Sequence, residues 1–176
     1  FALGLFALPV TIFAAAGVIN VLNMADGIDG LSGSLSLVSL LLLAVIAYLG
    51  HAAVYLPVIL TMIGAVLGFL VFNMRCCGRK RAATFMGDAG STMLGFLFAC
   101  LFVGLSQGEA RAMSPVTALW LFAVPLYDTT ATMVRRMWLG KSPFRADRSH
   151  LHHLLLKAGC TVPQGVVVMA LLQLLL

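Results

Sequence analysis

Residues 53–74 read Ala53-Val-Tyr-Leu-Pro-Val-Ile-Leu-Thr-Met-Ile-Gly-Ala-Val-Leu-Gly-Phe-Leu-Val-Phe-Asn-Met74, without one charged side chain. A helix of about 20 apolar residues crosses the ~30 Å hydrocarbon core of a bilayer. Similar apolar runs cover residues 1–22, 31–50, 89–107 and 114–134, and another begins near Pro163. The sequence therefore predicts an all-α, polytopic transmembrane helical bundle with five full spans and a truncated sixth.

The composition agrees with a membrane protein. The chain is 61% hydrophobic and 10% charged, with a mean hydropathy of +1.05, whereas a soluble domain is about half apolar and a quarter charged. No repeat or linker divides residues 1–176, so we expect one membrane-embedded domain with the lipid bilayer as a partner. Because the chain begins at Phe1 and stops inside an apolar run, we also expect it to be a piece of a longer protein.

The positive charges are distributed on one side of these predicted spans. The net charge of +5 would suggest a nucleic acid partner in a soluble protein. Here ten of the eleven Lys and Arg residues fall in the loops after the third and fifth spans, and only Arg111 lies opposite. The positive-inside rule places these loops in the cytoplasm. Topology thus explains the basic residues, and we expect no nucleic acid partner.

Three polar patches interrupt the apolar sequence. The first patch comprises residues 20–30, the second residues 85–91 and the third residues 143–153. Acids, amides and histidines are expensive near hydrocarbon, so such clusters are functional candidates. Following the alternation of the spans, all three patches fall on the cytoplasmic side, which predicts one shared site.

The first patch has the donors of a magnesium site. Asp26 and Asp29 are three residues apart and would share a face of a helical turn, and Asn20 and Asn23 have the same spacing. Carboxylate and amide oxygens suit Mg²⁺, which also relies on substrate phosphates. Gly27 permits a close approach of a ligand to the backbone. The alternative is a Gly/Asp turn whose asparagines only bond the end of a helix.

The second patch opens the fourth span. Asp88 and Ser91 are residue types that cap a helix N-terminus, and the same free N–H groups bind anions. Phe85 lies at the membrane boundary, where an aromatic ring is by default an interfacial anchor. Alone, this patch carries little information about function.

The third patch is basic and rich in histidine. Arg145, Arg148, His150, His152 and His153 lie within nine residues. Guanidinium groups match phosphate and imidazole can donate to it, whereas the arginines would repel a zinc ion. A basic segment beside a membrane can instead bind lipid headgroups. Asp128, within the fifth span, is expected to make a polar contact near the cytoplasmic end of the bundle.

An acidic patch that favours a metal, facing a basic patch that favours anions, is typical of metal-assisted phosphoryl transfer. The patterns Asn20-x-x-Asn-x-x-Asp-Gly-x-Asp-Gly30, Phe85-Met-Gly-Asp-x-Gly-Ser91 and Asp147-Arg-x-His-x-His-His153 occur in this order. Together they resemble the polyprenyl-phosphate N-acetylhexosamine-1-phosphate transferases. The His-Leu-His-His form resembles the branch that uses UDP-N-acetylglucosamine, because the branch that transfers phospho-MurNAc-pentapeptide has three consecutive histidines.

The resemblance implies a reaction and a place for it, at the cytoplasmic face of the bacterial cytoplasmic (inner) membrane. Undecaprenyl phosphate would attack the β-phosphate of UDP-N-acetylglucosamine and release UMP, with Mg²⁺ or Mn²⁺ as the cofactor, to begin the lipid-linked synthesis of a cell-envelope polysaccharide. Whether the enzyme is a homodimer stays open. The implied roles are metal binding by Asn23 and Asp88, support of the metal or its polar network by Asp26, uracil contacts from Gly27, Asp29 and Phe85, and diphosphate and sugar binding by Arg148, His150, His152 and His153.

One element of the family pattern is missing. The family carries an Asp-Asp pair on an earlier cytoplasmic loop, and these 176 residues contain none. We attribute this absence to truncation and expect the isolated chain to release no UMP. Two alternatives are a transferase with another sugar nucleotide, such as a phospho-MurNAc-pentapeptide or teichoic-acid type, and a membrane transporter. A transporter would place its acids near mid-span, whereas these acids lie at span ends.

Overall fold

The computed structural model describes residues 4–75, 79–108, 111–142 and 150–176, and all regular structure in these ranges is helical. Short 3₁₀ turns at Gly4–Phe6 and Ala53–Tyr55 precede α1 and α3. The helices are α1 (Ala7–Ala25), α2 (Leu31–Leu49), α3 (Leu56–Asn73), α4 (Gly87–Ser106), α5 (Pro115–Leu121), α6 (Ala123–Trp138), α7 (Leu151–Lys157) and α8 (Val162–Leu175).

Four helical segments are long and apolar enough to cross a membrane. They are Gly4–Ala25, Leu31–Leu49, Ala53–Asn73 and Gly87–Ser106, and α8 is a shorter apolar helix. These segments confirm the first four predicted spans and the all-helical class. Large apolar side chains such as Phe13, Leu60 and Phe96 are exposed on their outer faces, as expected where lipid replaces water around a bundle. The chain is a multi-pass membrane protein.

Two antiparallel pairs form the bundle. In the first pair, α1 packs on α4, and a Cβ atom placed on Gly95 would lie 2.8 Å from the Cα of Ile19. A small residue at this position therefore lets the two backbones approach closely, a common device in membrane helix packing. In the second pair, α2 packs on α3, with Gly33 against Leu70. The two polar loops, which connect α1 to α2 and α3 to α4, therefore lie at the same end of the bundle.

The fifth predicted span is divided into α5 and α6. Pro125 has no N–H to offer the carbonyl of Leu121, four residues earlier, and the helix is interrupted at Phe122 (φ −121°, ψ 22°). The hydroxyl of Ser39 donates to the Leu121 carbonyl at 2.6 Å, and Nε2 of Gln173 donates to the same oxygen at 2.8 Å. The freed backbone groups are thus satisfied by α2 and α8, as hydrocarbon requires.

Beyond this break, α6 leads to the end of the bundle that carries the polar loops. A buried cluster joins α2, α6 and α8 here, formed by Leu31, Leu35, Val124, Val166 and Met169. Leu151 and Leu155 of α7 pack against it. The short helix α7 is thereby held beside the start of α2, and with it the histidines of the third patch.

Candidate functional site

The first and second patches meet where α1 ends and α4 begins. Nδ2 of Asn23 donates to Oδ1 of Asp88 at 3.2 Å and to the hydroxyl oxygen of Ser91 at 2.9 Å. Asp88 is exposed and Ser91 is buried. Asn23 makes both contacts through its amide nitrogen, and its Oδ1 accepts no hydrogen bond from another side chain among the described residues.

Asp26 connects the same two patches through its other neighbours. Its Oδ1 accepts from the hydroxyl of Ser32 at 2.6 Å, and its Oδ2 accepts from the backbone N–H of Gly87 at 3.1 Å. Gly87 has φ +67°, a left-handed conformation that favours glycine. Both oxygens of Asp26 are therefore engaged in fixing the loop between α1 and α2 against the start of α4. Asp88 is exposed, so it is the more accessible of the two carboxylates.

Asp29 ties the first patch to the segment after α3. Its Oδ2 accepts from Nε of Arg75 at 2.7 Å and from the backbone N–H of Ala82 at 3.2 Å. Burial alone would raise the pKa of Asp29, but these two hydrogen bonds and the charge of Arg75 outweigh it, and the pKa lies below its ordinary value. Its other oxygen has no partner among the described residues.

The side chain of Asn73 connects the loop after α1 with the segment before α4. Its Oδ1 accepts from the backbone N–H of Gly30 at 2.7 Å, and its Nδ2 donates to the carbonyl of Thr84 at 2.7 Å. The side chain is buried, and Gly30 has φ +86°. A single amide therefore fixes the end of the first patch relative to the approach to the second.

The third patch reaches the site through α7. Oδ2 of Asp128 in α6 lies 3.0 Å from Nδ1 of His150, and its Oδ1 accepts from the backbone N–H of Leu151 at 2.6 Å. This confirms the expected polar contact of Asp128. The ring of His150 stacks on that of His152, with centroids 5.6 Å apart, and the His152 and His153 centroids are 4.2 Å apart.

His152 makes the direct contact between the third patch and the first. A Cβ atom placed on Gly27 would lie 2.6 Å from its Nε2, so only glycine leaves room for the ring. His152 is 1% exposed, and neither ring nitrogen has a hydrogen-bond partner among the described residues. Burial, followed by the neighbouring charge of His153, lowers the pKa of His152 to about 4.

The other predicted site residues make no contact with the Asn23–Asp88 pair among the described residues, or lie outside the described residues. The ring of Phe85 is 81% exposed, beside Gly87. Asn20 donates to the carbonyl of Ala16 in its own helix and does not join Asn23 at Asp88. Arg145, Asp147 and Arg148 lie outside the described residues, and their roles stay predictions.

The donor set fits a magnesium-type ion that is completed by a substrate. Within the described ranges, no group of three or more His, Cys, Asp or Glu side chains could hold a metal by itself. Asp88 offers an exposed carboxylate, and Asn23, whose side chain contacts it, offers an amide oxygen. Mg²⁺ characteristically binds to one or two carboxylates together with substrate phosphates and water.

Sequence reasoning missed several residues that position this site. Asn73 and Ser32 lie in apolar runs of the sequence, and Arg75 belongs to the basic residues that the topology explains. The one available signal for Asn73 was an amide at the end of an otherwise apolar span, where a polar group needs a partner.

These features define a multi-pass helical membrane protein with an acidic and histidine-rich site at one end of its bundle. Residues 1–106 match the family described as Glycosyl transferase family 4, and the chain belongs to that family. The matched range contains the first two patches, and the third patch lies beyond it.

Individual relatives have a more specific name. The chain is 47% identical over 110 residues to the undecaprenyl-phosphate alpha-N-acetylglucosaminyl 1-phosphate transferase of Salmonella typhi, covering 62% of this chain and 30% of that protein. It is 46% identical over 115 residues to the protein of the same name from Escherichia coli strain K12, covering 65% and 31%. The Pasteurella multocida protein of that name is 45% identical over 104 residues, covering 59% and 29%. The chain thus spans about 30% of the length of the relatives it matches.

Proposed function

We propose that the chain serves the transfer of N-acetylglucosamine 1-phosphate from UDP-N-acetylglucosamine to undecaprenyl phosphate. The observation that carries the proposal is the hydrogen bond from Asn23 to Asp88. It joins the first patch, at the end of α1, to the second patch, at the start of α4, across 65 residues of sequence. The third patch reaches the same end of the bundle through His152 and Gly27. The name of the relatives supports undecaprenyl phosphate as the acceptor and N-acetylglucosamine 1-phosphate as the transferred group.

In the proposed reaction, a phosphate oxygen of undecaprenyl phosphate attacks the β-phosphorus of UDP-N-acetylglucosamine. The bond from the β-phosphorus to the bridging oxygen breaks, and UMP leaves with that oxygen. Charge accumulates on the phosphate oxygens, so groups that neutralise this charge accelerate the transfer. The asymmetry of the Lys and Arg residues supports a site on the cytoplasmic face of a bacterial inner membrane.

Asp88 and Asn23 are the proposed ligands of Mg²⁺ or Mn²⁺, which would neutralise charge on the diphosphate when bound. Asp26 keeps these ligands in place through Ser32 and Gly87. Gly27 and the open oxygen of Asp29 are the proposed uracil contacts, and the exposed ring of Phe85 would stack on the base. Arg148 and the histidines of the third patch are proposed to bind the diphosphate and the sugar.

A chimera tests the activity. The segment of the E. coli relative that corresponds to residues 1–176 is replaced by this chain, and release of UMP from UDP-N-acetylglucosamine is measured with undecaprenyl phosphate in detergent. We expect the chimera to transfer, and D88N to lose about a hundredfold or more in rate. The control T61A removes an exposed hydroxyl that donates to the Pro57 carbonyl of its own helix and should keep the activity. A transferring chimera that is indifferent to D88N would overturn the assigned site.

Metal binding has a readout that does not depend on activity. Electron paramagnetic resonance of Mn²⁺, titrated with UDP into the purified chain in detergent, reports bound metal directly. We expect D88N and N23A to weaken Mn²⁺ binding by about tenfold or more, while H51A at the opposite end of the bundle has no effect. Equal Mn²⁺ binding by all variants would reject Asp88 and Asn23 as ligands.

A further inference from the structure

Asp128 holds two groups of the third patch at once. Asp128 belongs to α6, and its carboxylate lies between α6 and the start of α7. Its side chain is 11% exposed, and the side chain of His150 is 9% exposed. One oxygen accepts from the first backbone N–H of α7, on Leu151, and the other lies 3.0 Å from Nδ1 of His150. A carboxylate can only accept hydrogen bonds, so Nδ1 must carry the hydrogen.

We infer that Asp128 is a positioning residue that sets the orientation and tautomer of His150. With the hydrogen on Nδ1, Nε2 of the neutral ring becomes the acceptor, and this is the nitrogen that can receive a proton or a donor from a ligand. The inference rests on the proposed function for its catalytic consequence. It goes beyond it by assigning to His150 a defined tautomer and a residue that holds it.

The same contact sets the position of α7. A helix of seven residues has little stability of its own, because nucleation costs more than so few hydrogen bonds return. Asp128 satisfies the N–H of Leu151, and the stacked rings of His150 and His152 continue to Gly27. Loss of Asp128 should therefore free the ring of His150 directly, and it should weaken the contact of His152 with Gly27 indirectly, through the stacked rings.

Asp128→Asn separates orientation from tautomer. The amide oxygen can still accept from Leu151, but the amide nitrogen donates, so Nδ1 of His150 must become an acceptor and the hydrogen moves to Nε2. The geometry is kept while the tautomer is reversed. In serine proteases the equivalent exchange of the triad aspartate lowers kcat by about 10⁴ with the geometry intact.

The test combines two measurements. ¹⁵N NMR of the histidine-labelled chain in detergent should report the Nδ1–H tautomer of His150 in the wild type and the Nε2–H tautomer in D128N. In the chimera, D128N should lower kcat by at least about tenfold, with little change in KM or melting temperature. T130A is the matched control, because Thr130 lies on the same helix, is exposed and bonds only the Leu126 carbonyl.

The outcomes distinguish this inference from the proposed function. A transferring chimera with unchanged kcat in D128N, or an Nε2–H tautomer of His150 in the wild type, overturns the inference and leaves the proposed function intact. A wild-type chimera without transfer overturns the proposed function, and the NMR result on the chain then decides alone whether Asp128 sets the ring. If D128N lowers the melting temperature, a cycle with H150A decides: additive losses of kcat contradict the inference, and non-additive losses support it.

Discussion

Oε1 of Gln173 in α8 accepts a hydrogen bond from the backbone N–H of Val124 at 2.9 Å, inside the break between α5 and α6. Nε2 of the same side chain donates to the carbonyls of Trp120 and Leu121. One buried amide thus replaces the helical bonds that Pro125 and the turn at Phe122 interrupt. The break lies upstream of Asp128 on the same chain segment, so its geometry positions the residues that hold α7.

Replacing Gln173 by leucine should destabilise the bundle. The N–H of Val124 would lose its partner in an apolar environment, and an unsatisfied buried group costs about 1–3 kcal/mol. We expect a lower melting temperature for Q173L in detergent. L174A changes an exposed neighbour and should melt like the wild type. Equal melting of Q173L and the wild type would mean that water or another group satisfies the break.

Replacing Gly27 by alanine should separate the first and third patches. Its new Cβ would lie 2.6 Å from Nε2 of His152, so the imidazole and α7 must move. We expect faster amide hydrogen exchange over α7 in G27A. G17A is a matched control, because nothing lies within 4 Å of a Cβ at Gly17 and alanine favours a helix. A smaller effect of G27A in an H152A background would assign the cost to this contact, and an equal effect would contradict it.

The stability of the chain should fall as the pH decreases from about 6.5 towards 4. The pKa of His152 is lowered from 6.5 to about 4 by burial and by His153. The folded state therefore keeps the ring neutral in a range where the unfolded chain binds a proton. Above pH 6.5 the protonation of His152 does not reduce the free energy of unfolding. Between pH 6.5 and 4 the free energy of unfolding falls by up to about 1.4 kcal/mol for each unit of decreasing pH.

Thermal melting in detergent across this pH range measures the effect. H152F keeps a flat ring without a titrating nitrogen, so its melting temperature should depend less on pH between 6.5 and 4. H51A removes a histidine that is exposed at the other end of the bundle and should retain the wild-type dependence. The same slope in H152F as in the wild type would rule out His152 as the source.

Removing the carboxylate of Asp29 should loosen the segment between α3 and α4. Arg75 and the N–H of Ala82 would lose their shared partner, at a cost of about 1 kcal/mol for such a partly exposed pair. We expect trypsin to cut D29A several-fold faster at Arg79, Lys80 and Arg81. D29N can still accept from Ala82 and should be intermediate. No increase in cleavage would show that Asn73 alone secures this segment.

The convergence of the patches could be predicted because it depends on properties that are local in the sequence. Span length and alternation place the ends of α1 and α3 on one side without any knowledge of packing. The contacts of Asn23 with Asp88 and of Gly27 with His152 confirm that the first two patches meet each other and that residues 150–153, the described part of the third patch, join them.

The supporting residues could not be predicted, because their roles depend on which helices are neighbours. Gln173 lies 49 residues from Val124, and Asn73 lies 43 residues from Gly30. Each is a single amide in an apolar run, with no periodicity to indicate its partner. Pro125 explains why the helix cannot continue regularly, but the interruption at Phe122 also depends on Ser39 and Gln173, which come from helices packed against it.

The bond from Gln173 to Val124 also has a consequence for the order of assembly. Synthesis proceeds from the N-terminus, so α5 and α6 are made before the residue that completes their backbone pairing. Until α8 emerges, Ser39 is the only one of the two side chains already available to the Leu121 carbonyl. An open backbone is costly in hydrocarbon. We therefore expect the second half of the fifth span to settle in the membrane only when α8 packs against it, so that the position of Asp128 and α7 depends on a helix made after them.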